Sequence, residues 1–186
     1  DLVAIEKLLQ EQQKDNRDNY LLSNASPRLL NTARSLYRLA QENTKPDTER
    51  KAGFQQRDLP RFNAFVAGMD RSFDVKVEKA LDLHNLSKYV ALPKKQRNAD
   101  FDKALGIKDG MAQAALVALI DSWYSSTVLT DTAARTALIS STPAQFAESA
   151  DPFIKAAVAL YKTDLKEEAE QEELGGKTQQ AYASYM

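Results

Sequence analysis

Leu2, Ile5, Leu8 and Leu9 open the chain at steps of three, three and one, the spacing of a helical stripe. The next segment, SPRLLNTARSLYRLAQEN (26–43), repeats that stripe at Leu29, Leu30, Ala33, Leu36, Tyr37 and Ala40. It predicts a helix near 27–43, with Ser26 as N-cap and Pro27 in the first helical position. From Leu59 the apolar positions run Phe62, Phe65, Val66, Met69, Phe73, Val77, Ala80 and Leu81. They predict helix over 59–91, either continuous or broken near Ser72, and the Leu92–Pro93 pair ends it. The run GMAQAALVALIDSWY is apolar on nearly every side and predicts a helix over 110–125, capped by Asp109 and the most buried of the set. A short Ala-rich helix follows within 130–140. Thr142, Pro143 and Gln145 spell a capping box. Asp151 and Pro152 then open a last pattern that runs to 186, solvated across 166–177 and weakened at Gly175–Gly176. Alternation of period two is nearly absent. The prediction is an all-α fold, an irregular helical bundle with one long C-terminal helix, in a single domain over 1–186.

One stretch departs from this pattern. KPDTERKAGFQQRD (45–58) places Asp47, Arg50, Phe54, Arg57 and Asp58 at steps of three, four, three and one. On a helix they would share one face, two arginines and two aspartates around a ring. Such a face serves either as an ion network locking two helices together or as a surface offered to another domain or a substrate. Gly53 in its midst costs about 1 kcal/mol relative to alanine unless it permits a close backbone approach.

Composition narrows the function. With 43% hydrophobic and 27% charged residues, wholesale disorder is excluded. A net charge of -1 removes the footprint of a nucleic-acid binder or a polybasic membrane-surface protein, and PKKQR (93–97) reads as a solvated helix start. No stretch approaches the ~20 apolar residues of a membrane span. The absence of cysteine rules out a disulfide, a thiol nucleophile or a zinc–thiolate site within these residues. No metal or nucleotide motif occurs, so no cofactor and no metal are expected. The lone histidine, His84, is the only imidazole a Ser-His-Asp triad within this stretch could use; a half-buried helix residue bonded to a neighbour is the expected role. Trp123 and Tyr124 are expected as core anchors. No catalytic residue is assigned. The chain opens DLVAI without a methionine and closes QQAYASYM with helical spacing still running, as a fragment of a longer protein would.

The segment LLNTARSLYRLAQENTKPDTERKAGFQQRDLP (29–60) resembles the inserted helical domain of bacterial dipeptidyl-peptidases of serine peptidase family 46. The elements from Lys45 to Arg50 and from Gly53 to Asp58 carry most of that resemblance, with Phe54 where tyrosine is the commoner ring. Weaker similarity continues through 80–97 and 160–186. The resemblance implies that the triad lies on a chymotrypsin-like double β-barrel of the same polypeptide, outside this fragment. The helical domain would cap the cleft and help restrict cleavage to dipeptides from a free peptide N-terminus. It implies a substrate-binding asparagine in the helical domain that holds the substrate ammonium. Asn31, one turn into the second helix, is the candidate, and Asn24, expected in the preceding loop, is the alternative. A periplasmic or secreted location and a homodimeric parent are further implications. A helical scaffold with no enzyme attached is the alternative reading of the residues.

Overall fold

Helix follows the apolar periodicity across most of the chain, and the exceptions have local causes. The structure, a computed structural model, describes residues 2–185, and among them all regular structure is helical, with no strand. The all-α expectation is therefore met. The helices are α1 (Leu2–Ala25), α2 (Arg28–Glu42), α3 (Leu59–Gly68), α4 (Val75–Val90), α5 (Ala99–Leu105), α6 (Gln113–Ser126), α7 (Thr132–Leu138), α8 (Pro143–Ala147) and α9 (Pro152–Tyr185).

Two compact units result. One comprises residues 25–161 and the other residues 1–24 with 162–186. In the smaller unit Ile5 and Thr178 are buried. Helix α9 runs through Gly175 and Gly176 unbroken, and a Cβ at either would meet nothing within 4 Å. Those glycines weaken the helix without serving a close contact.

The core of the larger unit is built on α2, which buries nine of its 15 residues. Leu29, Leu30, Leu36 and Leu39 of α2 are fully enclosed, as are Leu86, Phe101, Leu116, Phe146 and Phe153 from the other helices. Tyr37 lies between Phe146 and Tyr161, with ring centroids 5.5 and 5.1 Å away. Trp123 and Tyr124 both pack against Phe153, at 5.8 and 5.7 Å, as anchors of the α6–α9 contact. Helix α6, expected to be the most enclosed, buries only Leu116, Ile120 and Trp123, and Val117 is exposed. Its small residues leave one side without a partner within the described residues. Composition alone misled there.

Ends and breaks follow from capping chemistry. Thr142 and Gln145 form the expected capping box of α8. Asp151 is buried; its Oδ1 accepts from the Phe153 and Ile154 amides, and its Oδ2 from the Val128 amide and the Thr127 hydroxyl. One carboxylate thus starts α9 and ties it to the end of α6. The 59–91 pattern is two helices, because Asp74 caps α4 by accepting from the Val77 amide at 3.0 Å. Helix α5 was not expected: seven residues are too few for periodicity, though Asn98 caps it and Gly106, at φ 75°, ends it.

Two expected caps are absent. Asp109 does not cap α6, which begins at Gln113; Gly110 turns left-handed at φ 66° and the Asp109 carboxylate accepts from Arg97 at 2.9 Å. Ser26 does not cap α2 either. Pro27 occupies that position without a side-chain bond, and the Ser26 hydroxyl donates to Asn31 Oδ1 at 2.7 Å.

Candidate functional site

Asn31 stands on the first turn of α2 with its side chain exposed. Its backbone amide donates to the Pro27 carbonyl at 3.1 Å, and its Oδ1 accepts the Ser26 hydroxyl. The Arg34 guanidinium completes the cluster, with Nη1 at 3.3 Å from Ser26 Oγ and 3.5 Å from Asn31 Oδ1. Ser26 is buried, so its bond to Oδ1 fixes the exposed Asn31 amide from the protein side. Asn24 lies in the last turn of α1, and not in a loop as expected, because α1 continues to Ala25. It too is exposed.

The 45–58 stretch is not a helix, so its five singled-out residues do not share a helical face. It forms two short 3-10 turns, Asp47–Glu49 and Gln56–Asp58, separated by extended backbone at Arg50 and a left-handed Gly53 at φ 96°. The cause is visible in its aspartates. Asp47 accepts from the Gln56 amide, and Asp58 Oδ2 accepts from the amides of Gly53 and Gln55 at 2.8 and 3.2 Å. Carboxylates that satisfy backbone N–H groups across a loop offer the chain an alternative to helix. Gly53 is needed for its positive φ and not for a close approach, since a Cβ there would meet nothing within 4 Å.

The loop is fastened to the end of α2 by Glu42, which sequence reasoning passed over. Its carboxylate is buried and accepts from Arg38 Nε at 3.1 Å, from Lys45 Nζ at 3.2 Å and from the Lys51 amide at 3.2 Å. Burial opposes its charge, but the Lys51 amide, Lys45 and Arg38 together hold the carboxyl below its ordinary range. Phe54 lies under the Arg38 guanidinium, 5.6 Å from ring centroid to Cζ, and against Phe62 at 6.2 Å. Arg50 reaches back to the Lys45 carbonyl at 3.1 Å and to Asp47 at 3.6 Å. Arg50, Phe54, Asp47 and Asp58 therefore belong to an internal network. Arg57 does not: it is exposed and makes no ion pair among the described residues. Spacings of Arg38 and Lys45 at -4 and +3 from Glu42 were the available sign of this clasp.

Asn31 and the loop stand at opposite ends of α2. Eleven residues at about 1.5 Å each separate Asn31 from Glu42 by roughly 16 Å. The structure therefore does not bring them into one site.

His84 is exposed and unpartnered among the described residues, against the expectation of a half-buried, bonded imidazole. It borders an open groove of about 520 Å³ between α4 and the start of α6, with Leu83, Ser87, Lys88 and Gln113. The Ser87 hydroxyl donates to the Leu83 carbonyl at 2.6 Å, so that serine is not aligned on the imidazole.

The peptidase S46 family model matches residues 1–186. The chain belongs to the peptidase S46 family. An Asp/Glu-specific dipeptidyl-peptidase of Shewanella putrefaciens (strain CN-32 / ATCC BAA-453) is 42% identical to this S46 chain over 186 residues. That alignment covers 100% of the chain and 25% of the relative, so the chain spans about a quarter of the curated relative's length. The resemblance first carried by residues 29–60 thus extends over the whole helical sequence.

Proposed function

We propose that this chain is the helical cap of a serine-type dipeptidyl-peptidase. It covers the cleft of a chymotrypsin-like β-barrel elsewhere in the polypeptide, which holds the triad. It helps to restrict cleavage to dipeptides taken from a free peptide N-terminus. The single observation behind this reading is S46 membership across an all-helical chain that spans a quarter of a relative named as a dipeptidyl-peptidase. Membership in a peptidase family disfavours the alternative, a helical scaffold with no enzyme attached. A periplasmic or secreted location and a homodimeric parent belong to the same proposal.

An exopeptidase must hold the substrate ammonium at a fixed distance from its nucleophile. Asn31 is the residue assigned to that task here. Its side chain is exposed, and its amide is positioned by the bond from Ser26. An amide-to-ammonium hydrogen bond contributes roughly 1.5–3 kcal/mol because the donor is charged. Asn31→Ala in the full-length enzyme is therefore expected to lower kcat/KM for dipeptidyl substrates by about one to two orders of magnitude. The melting temperature of the 186-residue chain should barely move.

One observation favours a second reading, in which Asn31 only braces the start of α2. Its Oδ1 already accepts from Ser26 and lies beside the cationic Arg34, which disfavours a second cation there. In that case Asn31→Ala lowers the melting temperature and leaves the kinetics unchanged, the reverse of the pattern expected of a substrate ligand.

A further inference from the structure

Helices α4 and α6 pack antiparallel, Ser87 and Ala91 lying near Gln113 and Leu116 at one end and Lys79 pairing with Asp121 at 2.6 Å toward the other. Inside that contact sits a cluster unrelated to Asn31 or to the loop. Asp82 of α4 is 5% exposed, and the Tyr124 hydroxyl of α6 donates to its Oδ2 at 2.5 Å. Glu78, one turn earlier on α4, is 7% exposed and is served by Arg28 of α2 at 3.2 Å. Arg28 divides its remaining donors between the Ser72 hydroxyl at 2.9 Å and the Ser72 carbonyl at 3.3 Å.

The charges around Asp82 are thus distributed unevenly. From α2 comes Arg28, committed to Glu78. From α4 come Glu78 and Lys79, the latter paired outward with Asp121 of α6. From α6 come Tyr124 and Asp121, and from α9 only the Phe153 ring, edge-on to Tyr124. Among the described residues no cation pairs with Asp82. An ionised carboxylate there is enclosed, has a carboxylate neighbour and has one hydroxyl to stabilise it. A protonated carboxyl suits the same space, because its uncharged oxygen still accepts from Tyr124.

We infer that Asp82 is a pH-sensitive latch between α4 and α6: protonated, it fits the enclosed contact beside Tyr124, and its ionisation places a buried charge next to Glu78 that loosens the contact. Burial pushes the Asp82 carboxyl up to about 7, the Tyr124 bond opposes the rise, and Glu78 adds to it. A carboxyl whose folded value lies above its unfolded one adds stability in acid. That stability is lost as pH rises toward and through about 7. Burial and the Asp82 charge likewise push the Tyr124 hydroxyl well above its ordinary range, so it remains a donor throughout.

The test is thermal unfolding of the 186-residue chain from pH 5 to 8, beside Asp82→Asn, which mimics the protonated carboxyl at every pH. The melting temperature of the wild type relative to Asp82→Asn is expected to fall by roughly 5–10 °C across that range. A constant difference would overturn the latch. Tyr124→Phe removes the bond that restrains the rise, so the transition should move to higher pH. An unmoved midpoint would also overturn it. His84→Gln, exposed and only two residues along α4, should leave the pH profile intact, and loss of the profile there would transfer the effect to the imidazole. Amide exchange within α6, corrected for intrinsic rate, should accelerate above pH 7 in the wild type and not in Asp82→Asn. Equal acceleration in both would contradict a latch at this contact.

Discussion

Arg135→Ala is expected to destabilise the chain by about 3–5 kcal/mol, a melting-temperature loss of roughly 6–20 °C for a protein of this size. Arg135 is 0% exposed. Its guanidinium donates to the Leu129 carbonyl at 2.8 Å, to the Val66 carbonyl at 3.3 Å and to Asp70 at 2.5 Å. It thereby joins α7 to the end of α3 and to the turn that follows. Truncation strands two carbonyls, removes the partner of Asp70 and opens a cavity the size of a large side chain. Lysine is a poor substitute, because one ammonium cannot reproduce three donors fixed in a planar fork. Thermal melts of Arg135→Ala, Arg135→Lys and wild type decide the matter. A loss below about 1 kcal/mol would mean that the guanidinium is not what binds α7 to α3.

Glu42→Ala should cost about 2–4 kcal/mol and release the 45–58 loop. Without that carboxylate, Arg38 and Lys45 lose the anion they share and the Lys51 amide loses this acceptor. Glu42→Gln keeps an acceptor for the amide and removes the charge, so it should fall between alanine and wild type. The pH dependence has a definite sign. The folded Glu42 carboxyl lies below its ordinary 4.5, so its contribution is complete above that value and lost as pH falls through the lowered one. Wild type and Glu42→Gln should therefore differ at pH 7 and converge in strong acid, as read by denaturant titration. Trypsin provides a local readout, since Lys51 and Arg57 lie in the loop and should be cut faster in Glu42→Ala. Equal cutting rates would show that the loop is held by its own aspartates alone.

These two residues also mark where sequence reading stops. Helix α2 was legible from its stripe, Leu29 to Ala40, although its cap was misplaced, and α8 and the start of α9 were legible from their caps, Thr142 with Gln145 and Asp151 with Pro152. Arg135 was not, because its acceptors Val66 and Asp70 lie 69 and 65 residues away, and no local pattern announces a contact of that span. The 45–58 stretch has helical spacing, yet its aspartates cap backbone amides within the loop, and spacing cannot distinguish the two uses of a carboxylate. The apolar run before Trp123 looked like a core helix because composition does not say how much neighbouring surface exists to cover it. Of the candidate site, the sequence named Asn31 through resemblance. Its orientation by Ser26 and its distance from the loop required coordinates.

The proposal of a cap that reads the substrate's ammonium is tested most directly by one ratio. In the full-length enzyme, kcat/KM is measured for a peptide with a free N-terminus and for the same peptide N-acetylated, in wild type and in Asn31→Ala. The wild type should strongly favour the free peptide, and Asn31→Ala should reduce that preference by about 10–100-fold, mainly through loss on the free peptide. An unchanged preference in Asn31→Ala would contradict the assignment and leave the helical chain with no part in recognising the N-terminus through this residue.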